Sequence, residues 1–392
     1  MKALALAALI AAPSFAGAER ITAGLDARVE LAGAMQALSP ADTDPAGFLR
    51  PKTAYARKLE SSAASGRPAG PAPKALGFEE RCQVLFRLGP VPALAERLTM
   101  PYAFARRAGG DAAFAGWLDS MRAFARRSDF LRRLDAARPL IEPRVAAFRA
   151  KLQERDYVGE IEAYTGLPFR GTFTASLSPY VRGGDNANLV EALDDGTVEI
   201  TSVFGPPAGA GDDADFWSVR TPGVLWHEAG HAIEDPLADL YADRIDASSS
   251  SYRASWGCYG DWRQCVKEEV VRAVMIRLLA KDFGEAAAAE QLAFETEARF
   301  PHLKALVESL KVYEKSRDRY PTLADDYPRL LDVLAAPSSE KPTFRSDCGP
   351  RGPRRRMSLF LEAVSARAKN PDVLATVKSA KDANAAAESR CP

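Results

Sequence analysis

Apolar residues recur at three- and four-residue spacing, with Arg and Glu between them, over 27–38, 90–107, 111–127 and 129–155. That period predicts amphipathic helices. After Tyr164 the pattern changes: 171–177 (GTFTASL) and 196–204 (GTVEITSVF) alternate between two faces, with Gly and Asp turns between them, which predicts a small sheet. The helical period returns at 225–235, where Pro236 is expected to end the helix. It continues over 262–281, 285–297, 302–318 and 322–335, and one or two terminal helices are expected within 357–390. Residues 61–77, rich in Pro, Gly, Ser and Ala, read as a surface connection, and 337–353 as a loop. Helices, then a short sheet, then helices again describe a mostly helical α+β protein. The expected divisions are 1–18, an N-terminal helical segment and linker over 19–78, a core over 79–340, and a C-terminal loop and helical tail over 341–392.

Composition narrows the function class. Of 392 residues, 47% are hydrophobic and 27% charged, and 52 basic residues balance 52 acidic ones. A neutral balance selects neither nucleic acid nor an anionic surface, and the cluster Arg354 to Arg356 reads as a solvated loop. No apolar run is long enough to span a bilayer. The N-terminus carries a different signal. Lys2, the apolar run Ala3 to Ala12 and the small-residue exit Ala16-Gly17-Ala18 have the form of an export signal, so a periplasmic or secreted product starting at Glu19 is expected. In that compartment disulfides persist, and with five cysteines at least one is free or pairs between chains. Cys258 and Cys265 either close a small loop or remain two thiols.

The chemistry concentrates in His227-Glu228-Ala229-Gly230-His231, an HExxH pattern preceded by the apolar Val224-Leu225-Trp226. On a helix, positions i and i+4 share a face about 6 Å apart, so both imidazoles reach one metal ion. Glu228 sits beside that face, where a carboxylate serves as general base toward a water acidified by zinc. The chain has only three His, and chance HExxH is then expected in about one such sequence in several hundred. The structural alternative is two His packing on a helix that happens to carry a Glu. A hydrolytic zinc site needs a third protein ligand and an open fourth position. His302 is the one remaining His, and the metzincin spacing is absent. A Glu on the later helix is the other choice, and Glu268 and Glu269 point about 100° apart there. Spacing does not choose between them.

The run HEAGHAIEDPL, then Tyr259 to Trp262, then CVKEEVVRAV resembles a group of exported bacterial HExxH proteins of unassigned function, themselves similar to gluzincin zinc peptidases. Weaker similarity takes in Arg28 to Leu31, Tyr313 to Arg317, and Tyr320-Pro321. The resemblance implies a zincin-like core with a small sheet beside the HExxH helix and a helical second lobe. It implies one zinc per chain, held by His227, His231 and Glu268, with Glu268 favoured over Glu269. It implies Glu228 as general base and a peptide or protein substrate. Gluzincins hold the oxyanion with a Tyr or His, and Tyr259, nine residues before Glu268, takes that role first, with Tyr252, His302, Tyr313 and Tyr320 behind it. The sequence departs from the pattern at Lys267, where the group often has Asn, and at Arg272, where thermolysin-like enzymes place an Asp that orients the first His. The strand within 197–204 is expected to be the edge beside the HExxH helix, open to an extended peptide. A non-catalytic zinc-binding module and a zinc hydrolase of non-peptide amides are the rival readings.

Overall fold

The computed structural model describes residues 20–38, 48, 51–60, 76–181, 187–193, 197–207, 214–249, 261–298 and 300–335, with 378, 381 and 382. The signal-like N-terminus, the 61–75 connection and nearly all of the C-terminal tail lie outside the described residues, as do Tyr252, Cys258 and Tyr259. Within them the chain is α+β and mostly helical, with one four-stranded mixed sheet.

Strand β1 (Ile21–Gly24) is followed by seven helices: α1 (Ala27–Leu38), α2 (Ala54–Glu60), α3 (Phe78–Phe86), α4 (Tyr102–Arg107), α5 (Asp111–Arg127), α6 (Phe130–Ala137) and α7 (Glu142–Gln153). The expected helix over 90–107 is confined to α4. Pro90, Pro92 and Pro101 carry no N–H to donate and bias the residues before them away from helix. The expected helix over 129–155 divides into α6 and α7 about a short 3₁₀ turn, Arg138–Leu140, for the same reason: Pro139 and Pro143 fall at its joints. α8 (Tyr157–Thr165) begins at Asp156, whose carboxylate accepts from the Gly159 N–H at 2.8 Å, and ends at Gly166 in the left-handed region, φ 68°.

The sheet follows, with strands β2 (Gly171–Leu177), β3 (Asn188–Ala192) and β4 (Val198–Phe204) in the order β1-β2-β4-β3. β1, β2 and β4 run parallel, and β3 is antiparallel to β4, pairing Asn188 with Ser202 and Leu189 with Thr201. β4 is therefore interior, with partners on both sides. The free edge beside the HExxH helix belongs to β3, which corrects the expectation for 197–204.

α9 (Thr221–Leu240) carries the HExxH residues and is followed by α10 (Ala242–Ala247), α11 (Trp262–Phe283), α12 (Glu285–Ala298), α13 (Leu303–Lys315) and α14 (Leu323–Ala335). Pro236 lies inside α9 and does not end it. Leu237 and Ala238 beyond it are buried, which offsets much of the ~3 kcal/mol that an interior proline costs. α11 is apolar nearly all round, from Val270 through Ala280, as befits a helix surrounded by others. It packs against α9, α12 and α13, and α9 bridges α11 to the sheet. Asp261 caps α11 by accepting from the Gln264 N–H at 2.8 Å. Cys265 is disulfide-bonded to a residue outside the described ones, while Cys82 is a buried free thiol.

Candidate metal centre

Two helices supply the centre. On α9, four residues of separation bring His227 and His231 to one face, with ring centroids 4.8 Å apart and planes at 83°. α11 crosses this face and presents Glu268. His227 Nε2 lies 3.5 Å from Glu268 Oε2, and His231 Nε2 lies 3.7 Å from Glu268 Oε1. All three residues are buried, and their ligand atoms fall within 4.8 Å of one another. Ligands held at 2.0–2.1 Å around a tetrahedral ion lie roughly 3.3 Å apart, so the group fits a metal ion with little adjustment.

The close crossing of α9 and α11 depends on Gly230. A Cβ there would stand 2.5 Å from Val271 Cγ2, so no larger residue fits at this helix contact without movement.

The groups around the ligands fix them in place. Asp235 Oδ1 is 3.0 Å from His231 Nδ1, which turns Nε2 toward the shared space. Lys267 holds Asp239 at 2.9 Å and stands 3.8 Å from Asp235. Burial opposes charge on His231, yet the Asp235 hydrogen bond with the Glu268 and Glu228 charges outweighs it and raises the pKa to about 9. His227 moves the other way: burial, then the Arg272 and His231 charges, hold it well below the usual imidazole value. Glu268 accepts from Arg272 Nη2 at 3.1 Å and from Gln264 Nε2 at 3.3 Å, and Arg272 also bonds Glu295 at 2.9 Å. Arg272 thus clamps Glu268, and the carboxylate that orients His231 comes from α9 itself.

Glu228 is buried beside the triad and accepts a hydrogen bond from the Asn188 side chain on β3. Burial pushes its pKa up to about 7, with His231 and the Asn188 bond opposing and Glu268 adding. All four groups open onto a cleft of about 520 Å³, walled by α3, β3, α9, α11 and α12.

Glu269 faces away from the centre. Its carboxylate accepts from the His302 backbone N–H at 2.9 Å and lies 3.1 Å from His302 Nδ1, which anchors the start of α13. His302 is thereby removed as third ligand and as oxyanion partner, and its ring packs on Trp262. Tyr313 spends its hydroxyl on the Tyr164 and Thr165 carbonyls at 2.9 and 3.2 Å. The Tyr320 ring is in contact with the guanidinium groups of Arg319 and Arg329, 5.0 and 5.9 Å from its centroid. Neither tyrosine lines the cleft. Sequence reasoning missed Asp235 and Asn188. Asp235 had a legible signal, the same i+4 step from His231 that joins the two His, whereas Asn188 reaches Glu228 only through the tertiary fold.

A sequence pattern described as a domain of unknown function (DUF4932) matches residues 103–333, more than half of the chain. The chain belongs to the DUF4932 family. The DUF4932 span contains β2 to β4, α9 and α11, and hence His227, Glu228, His231 and Glu268. No curated protein and no solved structure matches the chain.

Proposed function

We propose that this chain is an exported zinc-dependent peptidase that holds one zinc through His227, His231 and Glu268. The observation that carries the reading is the buried His-His-Glu triad with a fourth carboxylate, Glu228, beside it at the wall of a cleft. The donor set suits the ion: two imidazoles and one carboxylate with a position left open is a hydrolytic arrangement, whereas structural zinc sites are closed by four protein ligands. Bound there, zinc supplies a Lewis acid that polarises a carbonyl and acidifies water.

The remaining work falls to the chain's own residues. Glu228 takes the proton from the attacking water and returns it to the leaving amine. Asn188 holds the Glu228 carboxylate toward the cleft. Arg272 and Gln264 keep the Glu268 carboxylate facing the two imidazoles. The free edge of β3 offers main-chain groups to an extended peptide running past α9. Tyr259 is the proposed oxyanion partner, on its spacing before Glu268 and the gluzincin resemblance.

Two substitutions test the reading. Glu228→Gln is expected to keep near one zinc per chain and lose hydrolysis of peptides by orders of magnitude. Glu268→Ala is expected to lose the zinc. Full retention of peptide hydrolysis in Glu228→Gln refutes the mechanism. Zinc bound without any hydrolysis by the parent leaves a non-catalytic zinc module, and hydrolysis confined to N-acyl amino acids makes it an amidase.

A further inference from the structure

Three arginines line the cleft, and two of them are committed to carboxylates. Arg87 pairs with Glu191 at 2.7 Å, and Arg272 with both Glu268 and Glu295. The third, Arg220, has no ion pair and no side-chain hydrogen bond among the described residues. It is the N-cap residue of α9, immediately before Thr221, and its guanidinium lies over the Phe294 ring, 5.1 Å from the centroid. Arg220 is partly buried, and that burial draws its pKa below the usual arginine range, with Glu295 opposing and Arg272 reinforcing. Glu295, the nearest relief, is already taken by Arg272 and Gln291.

A partly buried cation with no carboxylate partner among the described residues is costly, so its place in a cleft wall is informative. The contact with the Phe294 ring face is made by the guanidinium carbon and uses none of its N–H groups as hydrogen-bond donors to protein oxygen. That edge matches a carboxylate in bidentate fashion, which a lysine ammonium does not.

The position along α9 sets the range. Arg220 precedes His227 by seven residues, about 10.5 Å along the axis, and seven helical steps return to nearly the same face. An extended peptide advances about 3.3 Å per residue, so the two points are roughly three residues apart on a bound strand. The cleft runs continuously past Arg220, Val224, His227 and His231.

We propose that Arg220 is a specificity-determining residue that binds a carboxylate of the substrate about three residues from the bond cleaved. This rests on the peptidase reading and names the substrate class of that site: peptides bearing an acidic group at fixed distance. The carboxylate comes either from a peptide C-terminus or from an Asp or Glu side chain, and the recognition chemistry is shared.

The test uses zinc-loaded full chain and neutral, amidated quenched-fluorescent octapeptides. One arm places a single Glu or Gln at successive positions. The other compares a free C-terminal carboxylate with the amide. The expected result is a kcat/KM ratio of about 10- to 100-fold for carboxylate over its neutral isostere at one position. That ratio should fall to near one in Arg220→Met and recover in part in Arg220→Lys, with zinc content and Tm kept in both variants. A parallel arm measures calorimetric binding of the same non-fluorescent peptides to Glu228→Gln protein, where the acid should bind about 10-fold tighter than its isostere only while Arg220 is present. No carboxylate preference in the parent, or the same preference in Arg220→Met, overturns the proposal. If no peptide is cleaved, the peptidase reading falls by itself, and the binding arm still decides Arg220 by the same criterion.

Discussion

Gly230→Ala probes whether the metal centre depends on the close crossing of α9 and α11. The added Cβ would meet Val271 Cγ2 at 2.5 Å, against an ordinary carbon–carbon contact of about 3.5–4.0 Å. Val271 is fully buried and β-branched, with one favoured rotamer on a helix, so its methyl group cannot swing aside. The helices must instead separate by about 1 Å, and Glu268, one turn from Val271 on α11, moves away from the imidazoles. The 3.5 and 3.7 Å nitrogen–oxygen separations then widen toward ~4.5 Å, beyond the ~3.3 Å that a tetrahedral ion requires. Overpacking costs about 1–3 kcal/mol, and Ala regains about 1 kcal/mol over Gly in a helix interior, so net destabilisation of the apo protein is expected at about 0–2 kcal/mol. Zinc affinity should fall about 10- to 100-fold, the loss typical when supporting geometry is disturbed. Chelator competition measures the affinity, and urea unfolding of the apo protein measures the stability. Gly116→Ala on α5, where a Cβ meets nothing within 4 Å, is the control and should gain about 0.5–1 kcal/mol with zinc affinity unchanged. Adding Val271→Ala to Gly230→Ala should restore most of the lost affinity, the coupling expected of two residues in contact. If Gly230→Ala behaves like Gly116→Ala, gaining stability at constant zinc affinity, the close-crossing argument is wrong.

Asp235→Asn should weaken zinc binding about 10- to 100-fold without unfolding the chain, because His231 loses the carboxylate that orients its ring; unchanged affinity in a chelator titration would contradict that role. Glu269→Ala should leave zinc affinity intact and destabilise by about 2–4 kcal/mol in urea, since it strands the buried His302 N–H and ring nitrogen; the reverse pattern would exchange the roles assigned to Glu268 and Glu269. Glu30 on α1 is fully buried; burial raises its pKa to about 7, against hydrogen bonds from Ser178 and Tyr55. Between about pH 4.5 and 7 the unfolded carboxyl releases its proton while the folded one keeps it, so this group removes stability as pH rises, by about 3 kcal/mol in full above pH 7. Glu30→Gln should therefore stabilise by about 1–3 kcal/mol at pH 8 and change little at pH 4.5, and equal shifts at both pH values would refute the assignment.

What was legible in the chain followed local physics. The period of α1, α5, α13 and α14 lies in their own residues, and the step from His227 to His231 is a property of any helix. Choices that depend on what lies across the core were not legible. Glu268 and Glu269 differ only in which neighbour each faces, α9 or the start of α13. β1 pairs with β2 across Thr22 and Thr174, so no local pattern marks four residues at the chain start as a strand. β3 is short and ends its pairing on the cleft side, and alternation alone assigned the edge to β4. Pro236 obeyed its local cost, but the burial of the turn beyond it offset much of that cost. No local pattern singles out Arg220, whose place in the cleft wall comes only from the tertiary fold.

α11 explains why so many charges are tolerated in one core. The acidic and basic residues on its buried surface are tied to three neighbouring helices: Glu268 faces α9, Glu269 holds His302 at the start of α13, Arg272 pairs with Glu295 on α12, and Arg277 pairs with Glu285 on α12 and Glu314 on α13. Breaking any one pair strands its partner in low dielectric, which fixes the rotation of α11 about its own axis. That rotation decides whether Glu268 or a neighbour meets the two His. The pairs that never touch the cleft therefore set its chemistry, because a turn of α11 by one residue, about 100°, would aim Glu269 or Lys267 at the imidazoles in place of Glu268.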